Sequence, residues 1–368
     1  VLSLDPGNQD AALNLEEIRE AGTSTQKAQE PLPSSGDAVL KISVAGGIQV
    51  CVPRSLESMS SYIRLEQEDW FEDEIHFIRK AVCPGMKVID IGANYGLYTL
   101  TMARLVGPTG RVWAFEPAGR TASFLRQSIA ANGFGNIDLV QAGMSDRKGS
   151  ARLSVSIDPE TNAITDGDDS AGGCETIETL SLDVCAETYP WESIDFIKLD
   201  AEGQEHNIVR GGKSFLTSRS PLIMFELHHG ESLNTMLIND FRELGYEFYH
   251  LIPGLAALVP IRLDKTVYPY QLNLFCCKPD RARILKSRGL LADTDPSLGA
   301  KADEGEWRNA TDILASFMPT MKSLAFLGEE RRLPGWEEYR RAVSLAIRAR
   351  DRSRDTGDRY ADLLQAEM

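Results

Sequence analysis

From Lys87 to Leu244, short apolar runs that read as strands are each trailed by a stretch with helical spacing, and this alternation constrains the fold most. Parallel strands need a crossover connection, usually a helix, so strand–helix order implies a mainly parallel sheet covered on both faces. The strands are expected at Lys87–Ile91, Arg111–Glu116, Ile137–Val140, Asp195–Leu199 and Leu222–Leu227. Helices are expected to stop near Gly107, at Asn132-Gly133, at Gly211-Gly212 and at Leu244, with Gly or Asn supplying several of the ends. Tyr246–Leu251 and Leu272–Cys276 read as two further strands with no helix between them. Together these predict a seven-stranded α/β sheet whose last strand inserts antiparallel.

The flanks differ in character. Residues 1–36, rich in Gln, Ser, Pro and Glu, read as a loose tail, with Leu13, Leu15 and Ile18 able to form one short helix. Over 37–86 a hairpin is expected, Val39–Val44 against Ile48–Val52 around Ala45-Gly46-Gly47, followed by a helix carrying Trp70, Phe71, Ile75 and Ile78 to about Val82. Residues 87–278 form the sheet domain, with the Asp- and Gly-rich stretch Asp166–Gly173 as a surface loop. Residues 279–368 read as a helical extension, with Trp336, Tyr339, Val343 and Ile347 at helical spacing and breaks at Pro296 and Pro319. That extension serves either as a cap on the sheet or as a surface for a second copy of the chain.

Bulk properties narrow the partners. A formal charge of −15 argues against nucleic acid, whose binders concentrate Lys and Arg. The six cysteines lie in no CxxC or Cys/His spacing, so neither zinc nor a disulfide framework is expected, and the reading is of a cytoplasmic protein. No apolar run is long enough to span a membrane, and the first residues lack the apolar segment of a signal peptide.

The strongest local signal is Val88-Ile-Asp-Ile-Gly-Ala-Asn-Tyr-Gly96, an apolar strand that ends in a Gly-containing turn and feeds a helix. Such a turn admits a ligand close to the backbone, and the helix start favours an anionic group. A dinucleotide fingerprint places glycine at three points spaced GxGxxG, but those points hold Gly92, Asn94 and Leu97. Asp90 adds a negative charge that a diphosphate would avoid and that a cationic amino group would accept. The plainer role for Asp90 is to bond turn amides. Glu116, ahead of Pro117, can accept from two adjacent ribose hydroxyls. Gly143 and Met144 follow the third strand, where they either flank an adenine or form a simple turn.

These residues, with Phe115-Glu-Pro117 and Asp195-Phe-Ile-Lys-Leu-Asp-Ala-Glu-Gly-Gln-Glu205, closely resemble the FkbM-type methyltransferase family. Asp90–Gly96 resembles that family's D-x-G-A-N-x-G, Glu116-Pro117 its E-P, and Lys198–Glu205 its K-x-D-x-E-G-x-E. The similarity runs through Phe225-Glu-Leu-His228 and covers roughly residues 60–278. The resemblance implies a Rossmann-like class I methyltransferase fold, S-adenosylmethionine as methyl donor, and transfer to a hydroxyl of a sugar, glycan or polyketide. The donor-binding set is then Asp90, Gly92, Ala93, Asn94, Tyr95, Gly96, Glu116, Pro117, Gly143 and Met144. The tail before residue 37 and the extension after 280 depart from the family pattern.

The chemistry candidates lie at the carboxyl ends of the fourth and fifth strands, where open α/β sheets bind ligands. Lys198 and Asp200 share a strand face, and Lys198 needs a partner, for which Glu226 at comparable depth is the candidate. Methylating an alcohol requires loss of its proton, so Asp200 is assigned to organise the site, with His228 or Glu202 as base and His229 at the same strand end. Glu205 reads as an acid complementing a helix start. Those side chains could instead hold a divalent cation, although no spacing demands one, and no metal is assigned. Two other functions stay open: a nicotinamide oxidoreductase, and a non-catalytic cofactor-binding module acting through its C-terminal helices.

Overall fold

The computed structural model describes residues 39–54, 73–155, 162–165, 174–226, 228–229, 232–233, 235–252, 255–261, 273–292, 341, 345–346 and 348–367. The segments assigned to the N-terminal tail, Trp70, Phe71, the loop Asp166–Gly173, Pro296, Pro319, Trp336, Tyr339, Val343 and Ile347 lie outside them. Two compact units are distinguished, Val1–Glu247 with Thr266–Arg281 and Phe248–Lys265 with Ala282–Met368.

In the first unit a hairpin, β1 (Val39–Val44) and β2 (Ile48–Pro53), precedes helix α1 (Glu74–Ala81). The sheet then alternates strand and helix: β3 (Lys87–Ile91), α2 (Leu97–Val106), β4 (Arg111–Phe115), α3 (Gly119–Asn132) and β5 (Ile137–Val140). Two of these strands match the sequence expectation to the residue, and Glu116 stands one place beyond the end of β4. The interior residues of β3 and β4 are buried on both faces. A parallel strand covered by helices on both sides reads as a continuous apolar run, which is why its bounds are visible in sequence.

Between β5 and the next central strand, where no strand was expected, the chain folds into further structure. β6 (Gly143–Met144), β7 (Gly149–Ser154), β8 (Ala163–Thr165) and β9 (Cys174–Leu180) make a small sheet in the order β6-β9-β7-β8. Leu153 and Ile177 bury their side chains there with Ala118, and Ile164 packs against them. Helix α4 (Leu182–Thr188) leads to β10 (Phe196–Leu199), then α5 (Glu205–Arg210), α6 (Lys213–Ser218) and β11 (Leu222–Glu226). α6 follows directly on Gly211-Gly212, where a stop alone was expected. A short β12 (His228–His229) pairs with β13 (Ser232–Leu233), and α7 (Thr235–Glu243) follows.

β10 lies between β3 and β11, parallel to both, so the chain reverses its direction of travel across the sheet between β3 and β10. That reversal opens a crevice beyond the carboxyl ends of the strands. The strands expected at 246–251 and 272–276 are β14 (Glu247–Ile252) and β16 (Asn273–Cys277), with β15 (Ala257–Pro260) as an unforeseen strand between them. β16 runs antiparallel beside β11, as anticipated for the final strand.

The hairpin packs into the first unit. Leu40, Ile42 and Val44 alternate with outward residues and join Ile48, Val50, Tyr95, Leu97, Leu100 and Phe124 in one cluster. Burying such a side chain stabilises by roughly 1.5–3 kcal/mol. Two polar side chains of α3 lock β2: Ser128 Oγ accepts the Cys51 amide at 2.8 Å, and Asn132 bonds both the amide (2.9 Å) and the carbonyl (2.7 Å) of Gln49.

In the second unit β14 pairs antiparallel with β15. Leu255, Ala257 and Ala349 form a small core with Ile252, Tyr360 and Leu363. Helices α8 (Pro279–Ser287), only the later part of which belongs to this unit, and α9 (Thr356–Glu367) agree with the helical character expected after Pro279. Asp362 of α9 is fully buried and pairs with Arg348 (3.3 Å) and Arg354.

Because Ser128 leaves the Cys51 amide without its partner when truncated, Ser128→Ala is expected to cost about 1–3 kcal/mol of unfolding free energy, read from urea melts, with no change in the helix content seen by circular dichroism.

Candidate active site

A cavity of about 250 Å³ lies at the carboxyl ends of β3, β4, β10 and β11. One end is built by the turn that follows β3. Gly92 has φ 75°, and a side chain there would bring Cβ within 1.7 Å of the Asp200 carbonyl oxygen. Only glycine lets the turn sit this close to the end of β10. The next residues are pinned by hydrogen bonds: the Gly92 and Ala93 amides donate to the Phe115 carbonyl (3.1 and 3.0 Å), and the Asn94 amide donates to Glu116 Oε2 at 2.8 Å. Asn94 takes φ 50° at the point where a dinucleotide fingerprint places its second glycine. Asn tolerates this left-handed conformation better than most residues, so the turn closes while its side chain joins the cavity wall.

Glu116 is buried, with Oε1 accepting the Ala118 amide (3.0 Å) and Oε2 the Asn94 amide. Burial raises its carboxyl to about 7, against the two amide bonds, which act to lower it. Pro117, Ala142, Gly143 and Met144 continue the wall, and Leu153 and Ile164 of the small sheet close it with Asn162, just ahead of β8. The last three were missed in sequence. No strand was expected there, although Ala151, Leu153 and Val155 alternate with period two, the signal that could have found one.

The other end is charged. The parallel register sets Lys198 beside Asp90, on one face of the sheet. The Lys198 ammonium lies 2.8 Å from Asp200 Oδ2, 4.0 Å from Asp90 Oδ1 and 3.4 Å from the Gly92 carbonyl, over the face of Tyr98 at 5.2 Å. In β11 the residue opposite Lys198 is Met224, so Glu226 stands two places further along rather than at the same depth. Glu226 lines the cavity together with Lys198, Asp200 and Glu202.

Glu202 has φ 47° and is followed by Gly203 at φ 91°, so the chain turns left-handed twice between β10 and α5. A non-glycine residue in this region costs of order 1 kcal/mol or more, a strain that clusters at functional sites. Burial, with Asp200, Glu226 and Glu205 nearby, pushes the Glu202 carboxyl up to about 8. Glu205 is buried and accepts the Ala201 (2.7 Å) and Gly203 (3.4 Å) amides, the helix-start role expected for it.

Three of the expected donor-binding residues do not line the cavity. Asp90 is fully buried behind the wall, accepting the Thr99 hydroxyl at 2.5 Å, and burial raises its carboxyl. Its Oδ1 is buried with no hydrogen-bond partner among the described residues. In this position Asp90 fastens α2 and Lys198 to β3. Tyr95 packs edge-on against Phe124, and Gly96 (φ 93°) makes room for Leu125. Gly92, Ala93, Asn94, Glu116, Pro117, Gly143 and Met144 do line the cavity. His228 lies in β12, but its side chain is outside the described residues, as is that of His229. Among the described residues no cluster of His, Cys, Asp and Glu could hold a metal ion, all six cysteines are free thiols, and no helix is long and apolar enough to cross a membrane.

The strand order, the reversal at β3 and β10 and the cavity at their ends define a class I methyltransferase fold. Residues 90–248 match the family model described as the methyltransferase FkbM domain, and this part of the chain is a domain of that kind. Among curated relatives, the methyltransferase sdnD of Sordaria araneosa is 29% identical over 155 residues, covering 34% of this chain. The 2-O-methyltransferase NoeI of Sinorhizobium fredii is 28% identical over 149 residues, covering 36% of this chain. The matched stretches span 59% and 60% of those relatives' own lengths. A solved FkbM methyltransferase from Methylobacillus flagellatus is similar at 16% identity and a TM-score of 0.36, over 58% of this chain and 53% of that one.

Gly92→Ala forces a side chain against the Asp200 carbonyl from a left-handed backbone. It is expected to cost about 3–5 kcal/mol and lower the thermal midpoint by many degrees. An unchanged midpoint would show that the turn and β10 do not meet as described.

Proposed function

We propose that the chain is an S-adenosylmethionine-dependent O-methyltransferase acting on a hydroxyl of a sugar, glycan or polyketide-type acceptor. The observation that supports this reading most is a single cavity with an amide-anchored carboxylate at one end, Glu116, and an acid group around one ammonium at the other. Adjacent ribose hydroxyls suit Glu116, whose oxygens keep acceptor capacity beyond the Asn94 and Ala118 amides. Gly143, Met144 and the apolar Leu153 and Ile164 suit a flat purine. Asp200, Glu202 and Glu226 suit a cation and make a diphosphate a poor fit. The 2-O-methyltransferase relative favours oxygen as the atom methylated.

Bound in this cavity, S-adenosylmethionine would supply a methyl group on a positively charged sulfur. The residues of the chain then have three tasks. Asp200, held by Lys198, keeps the sulfur end of the cavity acidic, and Asp90 holds Lys198 and α2 in place from behind. Glu202 accepts the acceptor's hydroxyl proton as the oxygen–methyl bond forms and the sulfur–methyl bond breaks, with that electron pair staying on sulfur. The cavity walls exclude water as a competing acceptor. A nicotinamide oxidoreductase is disfavoured by the broken glycine pattern and by the acids at the ligand end.

Calorimetry is expected to show binding of S-adenosylhomocysteine and none of NADH; the reverse result would overturn the donor. With labelled donor and a panel of hydroxylated acceptors, Glu202→Gln is expected to lose about 10²-fold or more in turnover. Asp200→Asn is expected to weaken both donor affinity and turnover, and full activity in it would remove Asp200 from the mechanism. A carboxyl raised to about 8 is protonated below that pH and becomes a base above it. kcat/KM for the donor should therefore rise with pH to a plateau above about 8, and Glu202→Gln should flatten that rise.

A further inference from the structure

We propose that Glu202 is a proton-storing residue keyed to the charge of the donor: it holds its proton in the free protein, yields it when the cationic donor enters, and takes one back when the neutral thioether product remains. This rests on the donor assignment above. It adds that the site's base is created by the substrate's own charge.

The geometry that carries this is a confined group of acids with one committed cation. Asp200 at the end of β10, Glu226 at the end of β11 and Glu202 in the intervening turn all line the same cavity. Glu205 of α5 approaches the same turn from behind but is occupied by the Ala201 and Gly203 amides. Lys198 faces the group from β10, and its ammonium is spent on Asp200 at 2.8 Å, with Asp90 at 4.0 Å behind. Glu202 is thus the carboxyl that burial and three acidic neighbours act on together, and it stands at about 8. Its left-handed backbone fixes the turn that presents it to the cavity.

Like charges confined in one site cannot all ionise unless a cation joins them. A positive sulfur entering the cavity lowers the proton affinity of nearby acids, and Glu202 has the proton to lose. After methyl transfer the positive charge is gone from sulfur. The hydroxyl's proton, left on Glu202, then has no electrostatic reason to leave, which restores the resting state. Glu116, pushed up to about 7, also lines the cavity, but it sits at the far end by the Asn94 turn. Donor and product carry the same sugar and base, so any response of Glu116 is common to both ligands.

The test is proton linkage in binding with no acceptor present, so that no turnover occurs. Titrating the 368-residue chain with S-adenosylmethionine and, separately, S-adenosylhomocysteine at about pH 7.5, in buffers of different ionisation enthalpy, counts protons released. The donor is expected to release on the order of 0.5 proton more than the product. The difference should vanish in Glu202→Gln. The unaltered protein offers a second reading, since the ratio of donor to product affinity should rise on the order of tenfold from pH 6.5 to 8.5. Equal proton release for the two ligands, a flat affinity ratio, or a difference that persists in Glu202→Gln would each overturn the proposal while leaving the donor assignment standing. Failure of both nucleotides to bind would instead remove the donor assignment, and the proposal with it.

Discussion

The buried ammonium of Lys198 is the constraint around which the site is arranged. An unpaired cation in the middle of a sheet is too costly to survive folding, so its position dictates where carboxylates must stand. The parallel register with β3 brings Asp90 alongside, and the end of its own strand brings Asp200. The Gly92 carbonyl, at 3.4 Å, completes the set, which ties the position of the turn after β3 to the same charge. One cation therefore links two strands, the first turn and the acidic end of the cavity. The close approach of Gly92 to the Asp200 carbonyl follows from that link, because the turn can reach Lys198 only by lying against the end of β10.

Much of the sheet was legible in the sequence, for a reason particular to its centre. β3, β4 and β10 are buried on both faces, so their bounds coincide with apolar runs, and Gly107 and Gly133 stop helices with positive φ, as glycine at a helix end does. The small sheet was not legible because β7 and β9 face solvent on one side and alternate with charged residues, a pattern easily taken for a loop. α6 was hidden by Gly211-Gly212, where two glycines close one helix and open the next without a spacer.

The site divided along a different line. Motif spacing located the turn, Glu116 and the acids beyond β10, since each sits on the chain next to an element end that sequence can find. It could not tell which way Asp90 faces. Alternation along a strand assigns residues to faces, but a central sheet has a helix on one side and a crevice beyond its end, and both sides are apolar in sequence. The Thr99 hydroxyl of α2 decides the matter for Asp90, and nothing in the run Val88–Gly96 announces that Thr99 will be its partner. Lys198 posed the converse problem. Its need for a carboxylate was plain, but Glu226 stands two residues beyond Met224, the residue opposite Lys198, and the ammonium pairs with Asp200 and Asp90.

Glu116 and Glu202 illustrate how similar proton affinities arise from different causes and serve different ends. Both carboxyls are raised chiefly by burial, to about 7 and about 8. Glu116 is opposed in this by two amide bonds that favour its ionised form and hold it rigidly, which suits a group that must present fixed acceptors to a ligand. Glu202 is raised further by Asp200, Glu226 and Glu205, so part of the restraint on its ionisation, beyond burial, is charge. The part of that restraint made of charge is the part that an entering cation offsets directly. On the proposed reading, that difference suits the first carboxylate to binding and the second to proton transfer, with the positive sulfur of the donor as the means of switching the base on.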